Sequence, residues 1–181
     1  MDIDEARALA REKTEKDTTY RHLVSVEGVM RALARRLGED QDRWALTGLF
    51  HDLDQDQTGG DEARHARMAA EWLREAGVDE QVVNGVLAHA HEQYRTDAMS
   101  RAIVHADAVA GLLVAGALVR PERATGMKVS SIKKKLKEKA FAPGVNRDEI
   151  SEAPEALGLD LDEFFAVSIE GLQEVAPDIG L

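Results

Sequence analysis

Trp44-Ala45-Leu46-Thr47-Gly48-Leu49-Phe50-His51-Asp52 is an apolar helical stretch that ends on an imidazole and a carboxylate side by side. Such a pair is a poor packing unit where a buried helix runs out. It is a good ligand pair, because imidazole nitrogen and carboxylate oxygen suit borderline and hard divalent cations. The apolar periodicity of the stretch predicts a helix over about Gln41 to Leu53, followed by a turn-rich loop from Asp54 to Gly60.

Working outward, helical periodicity dominates and no segment reads as a strand, so the fold class expected is all-α, a helical bundle. Ile3 to Lys16 reads as a polar helix. Thr18 to Leu37 follows, with Asp17 or Thr18 as its cap, Gly38 as its stop, and Leu23, Val26, Val29, Met30, Leu33 and Leu37 as its apolar stripe. His22 lies on or beside that stripe. Asp61 is expected to cap a fourth helix ending at Gly77, with His65 one turn before Ala69. A fifth starts after Asp79 and carries Val82, Val83, Val86 and Leu87 toward His89. Ala98 to Val119 is apolar on nearly every side, the mark of a central helix buried by its neighbours. Beyond Pro121, helices are expected at Ser130 to Ala140, Arg147 to Leu157 and Leu161 to Val175. No strong linker divides the chain, so residues 1–181 are expected to form a single domain. Its metal-binding core would span about 18–120, with a C-terminal helical extension over about 121–181.

A chain of 181 residues with 44% hydrophobic content and no cysteine can bury one good core without disulfides or thiolate ligands. The amino terminus, Met1-Asp2-Ile3-Asp4-Glu5, is acidic, unlike the positive start of a signal peptide. The longest apolar run, Ala106 to Val119, contains Asp107 and is too short to span a bilayer. A cytoplasmic location without membrane contact is the expectation. The net charge of −11 repels nucleic acid at long range, so no nucleic-acid partner is expected. Against that background, Arg120 to Lys139 holds eight basic residues and only Glu122 and Glu138 as acids. A solvated helix face is the ordinary reading of such a run. The sharper one is a phosphate-attracting patch, with Lys133 and Lys134 binding substrate if the C-terminal helices fold back over the site.

The residues that carry chemistry are imidazoles and carboxylates spread over several helices. Asp107 sits among Ile103, Val104, Ala106, Ala108, Val109 and Ala110, and the nearest basic side chain in sequence is Arg101. A bare carboxylate there is costly to bury and needs a partner. His22 and His65 alone would read as satisfied core histidines. With His51, Asp52 and Asp107 they form a ligand set delivered from several helices to one point, as helical bundles build metal sites. An all-nitrogen-and-oxygen set argues against a structural zinc finger and for Fe, Mn, Mg, Ni, Co or catalytic Zn. His89, on the Val82/Val86 stripe, and His91, four after Leu87, compete for one further place, and His89 is preferred because it is nearer the end of the periodic region. His105, two before Asp107, points away from it on a helix.

The segments Tyr20-Arg21-His22-Leu23, Gly48-Leu49-Phe50-His51-Asp52, Arg64-His65-Ala66, Leu87-Ala88-His89 and His105-Ala106-Asp107 together resemble the HD-domain superfamily of metal-dependent phosphohydrolases, in its HDIG-type branch of small stand-alone proteins. The doublet continues here as Leu53-Asp54 where that pattern usually has Ile-Gly. The resemblance implies that His22, His51, Asp52 and Asp107 form a primary metal set. It implies that His65 and His89 are the extra histidines of two-metal members, with Asp52 between both ions. One or two divalent ions are thus the expected cofactor. The expected reaction is hydrolysis of a phosphomonoester or phosphodiester by a metal-bound hydroxide. The expected partner is a small phosphorylated substrate, a nucleotide by preference. Asp52 would act in catalysis through the metal, and Asp54, Asp56 or Glu62, beside the doublet, would orient water or protonate the leaving oxygen. Two other classes stay open: a non-catalytic ligand-binding or regulatory module, and a di-iron oxygenase. A homodimer through the face bearing Phe164, Phe165, Ile169 and Leu172 is equally open.

Overall fold

The computed structural model describes residues 1–181, and every regular element in it is helical. Ten α-helices follow in order: α1 (Ile3–Lys13), α2 (Asp17–Leu37), α3 (Gln41–Phe50), α4 (Gln55–Thr58), α5 (Arg67–Glu75), α6 (Glu80–Ala90), α7 (Ala98–Leu118), α8 (Val129–Lys137), α9 (Arg147–Leu157) and α10 (Leu161–Val175). Short 3₁₀ turns follow α6 and α10. The chain is an all-α bundle, as its periodicity predicts.

Two long helices organise it. α7 is buried along most of its length, as its near-continuous apolar sequence requires. It is also the one helix long and apolar enough to cross a membrane, yet two thirds of its apolar window is buried inside the fold. α2 lies between α3 and α10, and glycines set both approaches. A Cβ on Gly28 would fall 2.4 Å from the Gly171 carbonyl oxygen of α10. One on Gly48 would fall 2.6 Å from the Val26 carbonyl oxygen. Such contacts are closer than any real side chain tolerates, so α3 and α10 rest directly on the α2 backbone. The buried apolar side chains form one cluster running from Ala6 to Ile179, and α10 supplies Phe164, Phe165 and Leu172 to it. The C-terminal extension is thus built into the same core as α2 and α7, and the apolar face of α10 packs internally.

The structure departs from the sequence expectation between residues 54 and 66. The expected loop contains the one-turn helix α4. Asp56, a proton-transfer candidate on sequence grounds, accepts from the Glu15 and Lys16 amides and the Thr19 hydroxyl. It thereby caps the start of α2 from outside, where neither Asp17 nor Thr18 does so. Asp61 caps no helix: residues 61–66 form turns, and α5 begins only at Arg67 after Ala66 adopts a left-handed φ of 63°. A left-handed alanine is uncommon and needs support from its surroundings. That support is Asp54, which holds the residues on either side of Ala66, as described next.

Candidate metal centre

Four imidazoles and two carboxylates converge between α2, α3, α6, α7 and the turn before α5. His22 comes from the second turn of α2, His51 and Asp52 from the end of α3, His65 from the turn, His89 from the last turn of α6 and Asp107 from the middle of α7. His22 Nε2 lies 2.9 Å from Asp107 Oδ1, and His51 Nε2 lies 3.7 Å from the same oxygen and 3.7 Å from Asp52 Oδ2. His65 Nε2 and His89 Nε2 each lie 3.2 Å from Asp52 Oδ1, and His89 Nδ1 lies 3.8 Å from Asp107 Oδ2. The rings meet edge to face, His51 and His89 with centroids 4.8 Å apart. Asp107, the carboxylate that sequence left without a partner, therefore has three imidazoles around it.

These contacts are short, yet none of them is aligned as a hydrogen bond. His51 Nε2, Asp52 Oδ1 and His89 Nδ1 are buried without any hydrogen-bond partner. Orphaned buried polar atoms are rare and costly in folded proteins. Here three converge on one point. The ligand atoms of His22, His51 and Asp107 all lie within 4.8 Å of one another, and so do those of His51, Asp52 and His89. His65 joins the second group through Asp52. Lone pairs that face a common centre and not each other are what a cation requires, so the residues present fit a divalent ion.

The tautomers are set from behind. A carbonyl can only accept, so the 2.8 Å contact of His51 Nδ1 with the Gly48 carbonyl means that Nδ1–H donates and Nε2 is left free to face the centre. Gly48 thus has two duties: without a Cβ it lets α3 sit on α2, and its carbonyl orients His51. Asp54 does the same for His65. It is fully buried, accepts from His65 Nδ1 at 2.9 Å with one oxygen and from the Ala69 amide at 3.0 Å with the other. The same carboxylate brackets Ala66 and supplies an amide acceptor inside the first turn of α5. Asp54 was expected to move protons at the reacting group. It is placed instead beneath His65, with both oxygens engaged and no access to solvent, and orients the imidazole.

Charge is balanced tightly. Burial pulls the His51 imidazole down, but the Asp52 charge and then Asp107 outweigh it and hold the group up at about 9. The neighbouring Asp52 and Asp54 carboxylates outweigh burial for His65, which is raised to about 10. Burial pushes the Asp52 and Asp107 carboxyls up, and the surrounding imidazoles more than reverse this, leaving both well below the usual carboxylate range. The pocket thus favours positive charge, whether carried by protons or by a cation.

The remaining candidates are placed differently. His91 turns away from the cluster and contacts the His65 carbonyl at 3.2 Å, so that His89 and not His91 lies within the cluster. Glu62 is exposed and lines a small hollow with His65, Ala90 and His91, beside the cluster but bonded to nothing in it. Lys133 and Lys134 do not reach the cluster. They line a separate groove with Ser130, Lys137 and Asp162, and Lys133 is ion-paired to Asp162. The reason is where α8 docks. Ile132 packs against Gly116, nine residues and so about 13 Å along α7 from Asp107. The expectation that these lysines bind substrate phosphate at the metal is corrected accordingly. The extension does reach α7 near the site, through α9, whose Glu149 carbonyl accepts from His105 Nδ1 at 2.7 Å. Nothing local in sequence marks Glu149, an ordinary first-turn acid behind the Asn146 cap.

A helical bundle that gathers a His-Asp doublet, three further histidines and a mid-helix aspartate defines a class, and the family comparison agrees. The HD domain model matches residues 19–123, more than half of the chain, and the chain belongs to that family. Ribonuclease Y 2 of Levilactobacillus brevis is 29% identical over 90 residues, which are 50% of this chain and 17% of that protein's length. The chain therefore spans a small part of that relative. No solved structure matches it.

Proposed function

We propose that the protein is a metal-dependent phosphohydrolase acting on a small phosphomonoester or phosphodiester, a nucleotide being the class that its family favours. The observation that carries this reading is the set of orphaned ligand atoms on His51, Asp52 and His89, completed by His22, His65 and Asp107. A bound divalent ion would polarise phosphoryl oxygens and bring the pKa of a coordinated water toward about 7. The protein's own residues supply the rest. His22 and Asp107, about a quarter exposed, form the open side on which a phosphoryl group is received. His51, wholly buried, closes the floor and excludes water from beneath. Asp52 directs one oxygen to His65 and His89 and the other to His51, and so ties the two halves of the cluster together. Glu62, at the edge beside His65, is the group available to pass a proton to solvent. In the overall reaction a water oxygen bonds to phosphorus, the bond from phosphorus to the leaving oxygen breaks, and the proton lost by water balances the alcohol released.

Similarity to a protein named ribonuclease supports phosphodiester chemistry for this site. The net charge of −11 favours a small substrate over a long polyanion. The test is reconstitution with Mn, Fe, Co, Ni, Mg and Zn, followed by assay of a chromogenic phosphodiester, a chromogenic phosphomonoester and a nucleotide panel. Asp52→Ala should lose both bound metal and hydrolysis. Hydrolysis that persists unchanged in Asp52→Ala would overturn the assignment. A metal-loaded protein that cleaves no phosphoester, but consumes oxygen in its iron form, would move it to the oxygenase class.

A further inference from the structure

Three aspartates, Asp52, Asp54 and Asp56, stand two residues apart on one continuous run of turns. The Gln55 amide donates to the Asp52 carbonyl, and the Gln57 and Thr58 amides donate to the Asp54 carbonyl. The three side chains nevertheless serve three different places. Asp52 faces the metal cluster, and Asp54 holds His65 and the Ala69 amide. Asp56 faces the entrance of α2, with its carboxylate only 1% exposed. One of its oxygens accepts from the Glu15 and Lys16 amides at 2.8 and 2.9 Å, and the other from the Thr19 hydroxyl at 2.8 Å. Burial pushes the Asp56 carboxyl up, and the Lys16 amide, the Thr19 hydroxyl and the Glu15 amide more than reverse it, which keeps the group charged. Beside it, Gln57 Nε2 donates to the Lys13 carbonyl at 2.7 Å, where α1 ends.

A helix start is ordinarily held by the side chain next to it, as Asp2, Asp40, Asp97 and Asp160 do in this chain. Lys16, in the corresponding place before α2, makes no such bond. The holding group comes instead from Asp56, 37 to 41 residues away in sequence. A local cap would stabilise α2 equally well. Only a distant one also fixes where the helix begins relative to α4. That placement matters for His22, three residues after Thr19. His51 and His65 are each steered from behind, by the Gly48 carbonyl and by Asp54. No group of the protein bonds Nδ1 of His22, whose Nε2 meets Asp107 at 2.9 Å. The position of His22 therefore follows from the α2 backbone. It lies one turn nearer the helix start than Val26, where Gly48 braces α2.

We propose that Asp56 is a positioning residue of the metal centre, fixing the first turns of α2, and through them His22, against the same run of turns that carries Asp52 and Asp54. The inference rests on the metal centre of the phosphohydrolase reading, but not on hydrolysis itself. One short stretch of chain then sets both halves of the cluster. Asp54 places the half containing His65, Asp56 places the half containing His22, and Asp52 stands between them.

Calorimetric titration with Co(II), beside melting curves of chelated protein, separates positioning from mere stabilisation. His22→Ala and His65→Ala mark which ion belongs to which half. Asp56→Asn leaves one acceptor oxygen where two now serve three donors. It should lower the Tm and weaken about tenfold the ion that His22→Ala abolishes, while the ion that His65→Ala abolishes stays within about twofold of the parent. Where the parent holds a single ion, the affinity of that ion should fall about tenfold. Adding Lys16→Ser to Asp56→Asn gives α2 the local cap it lacks. The double variant should regain Tm without regaining affinity. Thr19→Val removes only the hydroxyl donor and should weaken the same ion by less; it keeps the test alive if circular dichroism shows that Asp56→Asn has not folded. Parent affinity in Asp56→Asn, equal weakening of two ions, or recovery of affinity together with Tm in the double variant would each overturn the proposal and leave Asp56 a stabilising residue. A parent that binds no divalent ion would overturn the metal centre and the role of Asp56 together. The expected metal response without cleavage of any phosphoester would remove the hydrolase reading and leave the role of Asp56 standing. Hydrolysis by a parent whose metal affinity ignores Asp56 would do the reverse.

Discussion

Replacing Asp54 by Asn separates the support of the cluster from its ligands. The substitution keeps size and shape but offers one acceptor and one donor where two donors, His65 Nδ1–H and the Ala69 amide, now point at a carboxylate. One of those donors must lose its partner inside the protein. A hydrogen bond to a charged group contributes about 1.5–3 kcal/mol, and a buried unpaired donor costs about 1–3 kcal/mol. The two descriptions overlap, so a loss of about 2–3 kcal/mol of stability is expected. At this chain length that corresponds to a fall in Tm of roughly 4–12 °C. The effect on metal is local. His65 loses the acceptor that holds its Nδ1 protonated and its Nε2 toward Asp52, and loss of such a support weakens binding by about 10–100-fold. The weakening belongs to the half of the cluster containing Asp52, His65 and His89. The half containing His22, His51 and Asp107 should retain its ion. Metal titration by calorimetry, with elemental analysis of the dialysed protein, reads this directly. Glu62→Gln, exposed beside the same histidine, is the control and should change neither affinity nor Tm. Undiminished affinity at every site in Asp54→Asn, with His65→Ala itself reducing metal content, would show that Asp54 does not orient the imidazole and would refute the reasoning.

Other outcomes follow from the same geometry. Gly48→Ala forces a Cβ against the Val26 carbonyl oxygen and should cost about 1–3 kcal/mol by denaturant unfolding, with reduced metal content because α3 carries His51 and Asp52; a melt superimposable on the parent would contradict the close contact. Asp107→Asn should abolish stoichiometric metal binding in the half it shares with His22 and His51, checked by elemental analysis. His51 and His65, raised to about 9 and 10, stabilise the metal-free fold fully below their unfolded pKa of about 6.5 and lose that contribution as pH rises toward 10. The Tm of protein kept in chelator should therefore fall between pH 7 and 10. Metal affinity should rise over the same interval, because ligand protons must leave; a chelated Tm that climbs with pH would be the contrary result. Lys133→Ala and Lys134→Ala should leave kcat/KM within twofold of the parent on any phosphoester, since their groove is apart from the cluster.

How the chain divides between local and tertiary information is plain at particular residues. Helix α2 was legible because its apolar residues recur at helical spacing up to the Gly38 stop, and α7 because it is apolar on nearly every side. The ligand set was legible because a carboxylate as isolated as Asp107, and a doublet at the end of an apolar helix, are expensive unless they share a partner. Roles decided by approach in space were not. Asp54 and Asp56 look alike in sequence, two acids in one polar segment. Docking buries the first under His65 and uses the second to cap α2. His89 was preferred over His91 only by its place at the end of the periodic region; the break of α6 after Ala90 is what turns one inward and the other to a backbone carbonyl. Lys133 and Lys134 were assigned by charge alone, and charge says nothing of where a helix docks. Sequence by itself therefore determined the helical class and the chemistry of the centre, because periodicity and desolvation cost are properties of residues and their near neighbours. Tertiary structure alone decided which nitrogens are free, which acids are supports and which face of α9 meets α7. Those depend on packing between segments far apart along the chain, which local pattern does not encode.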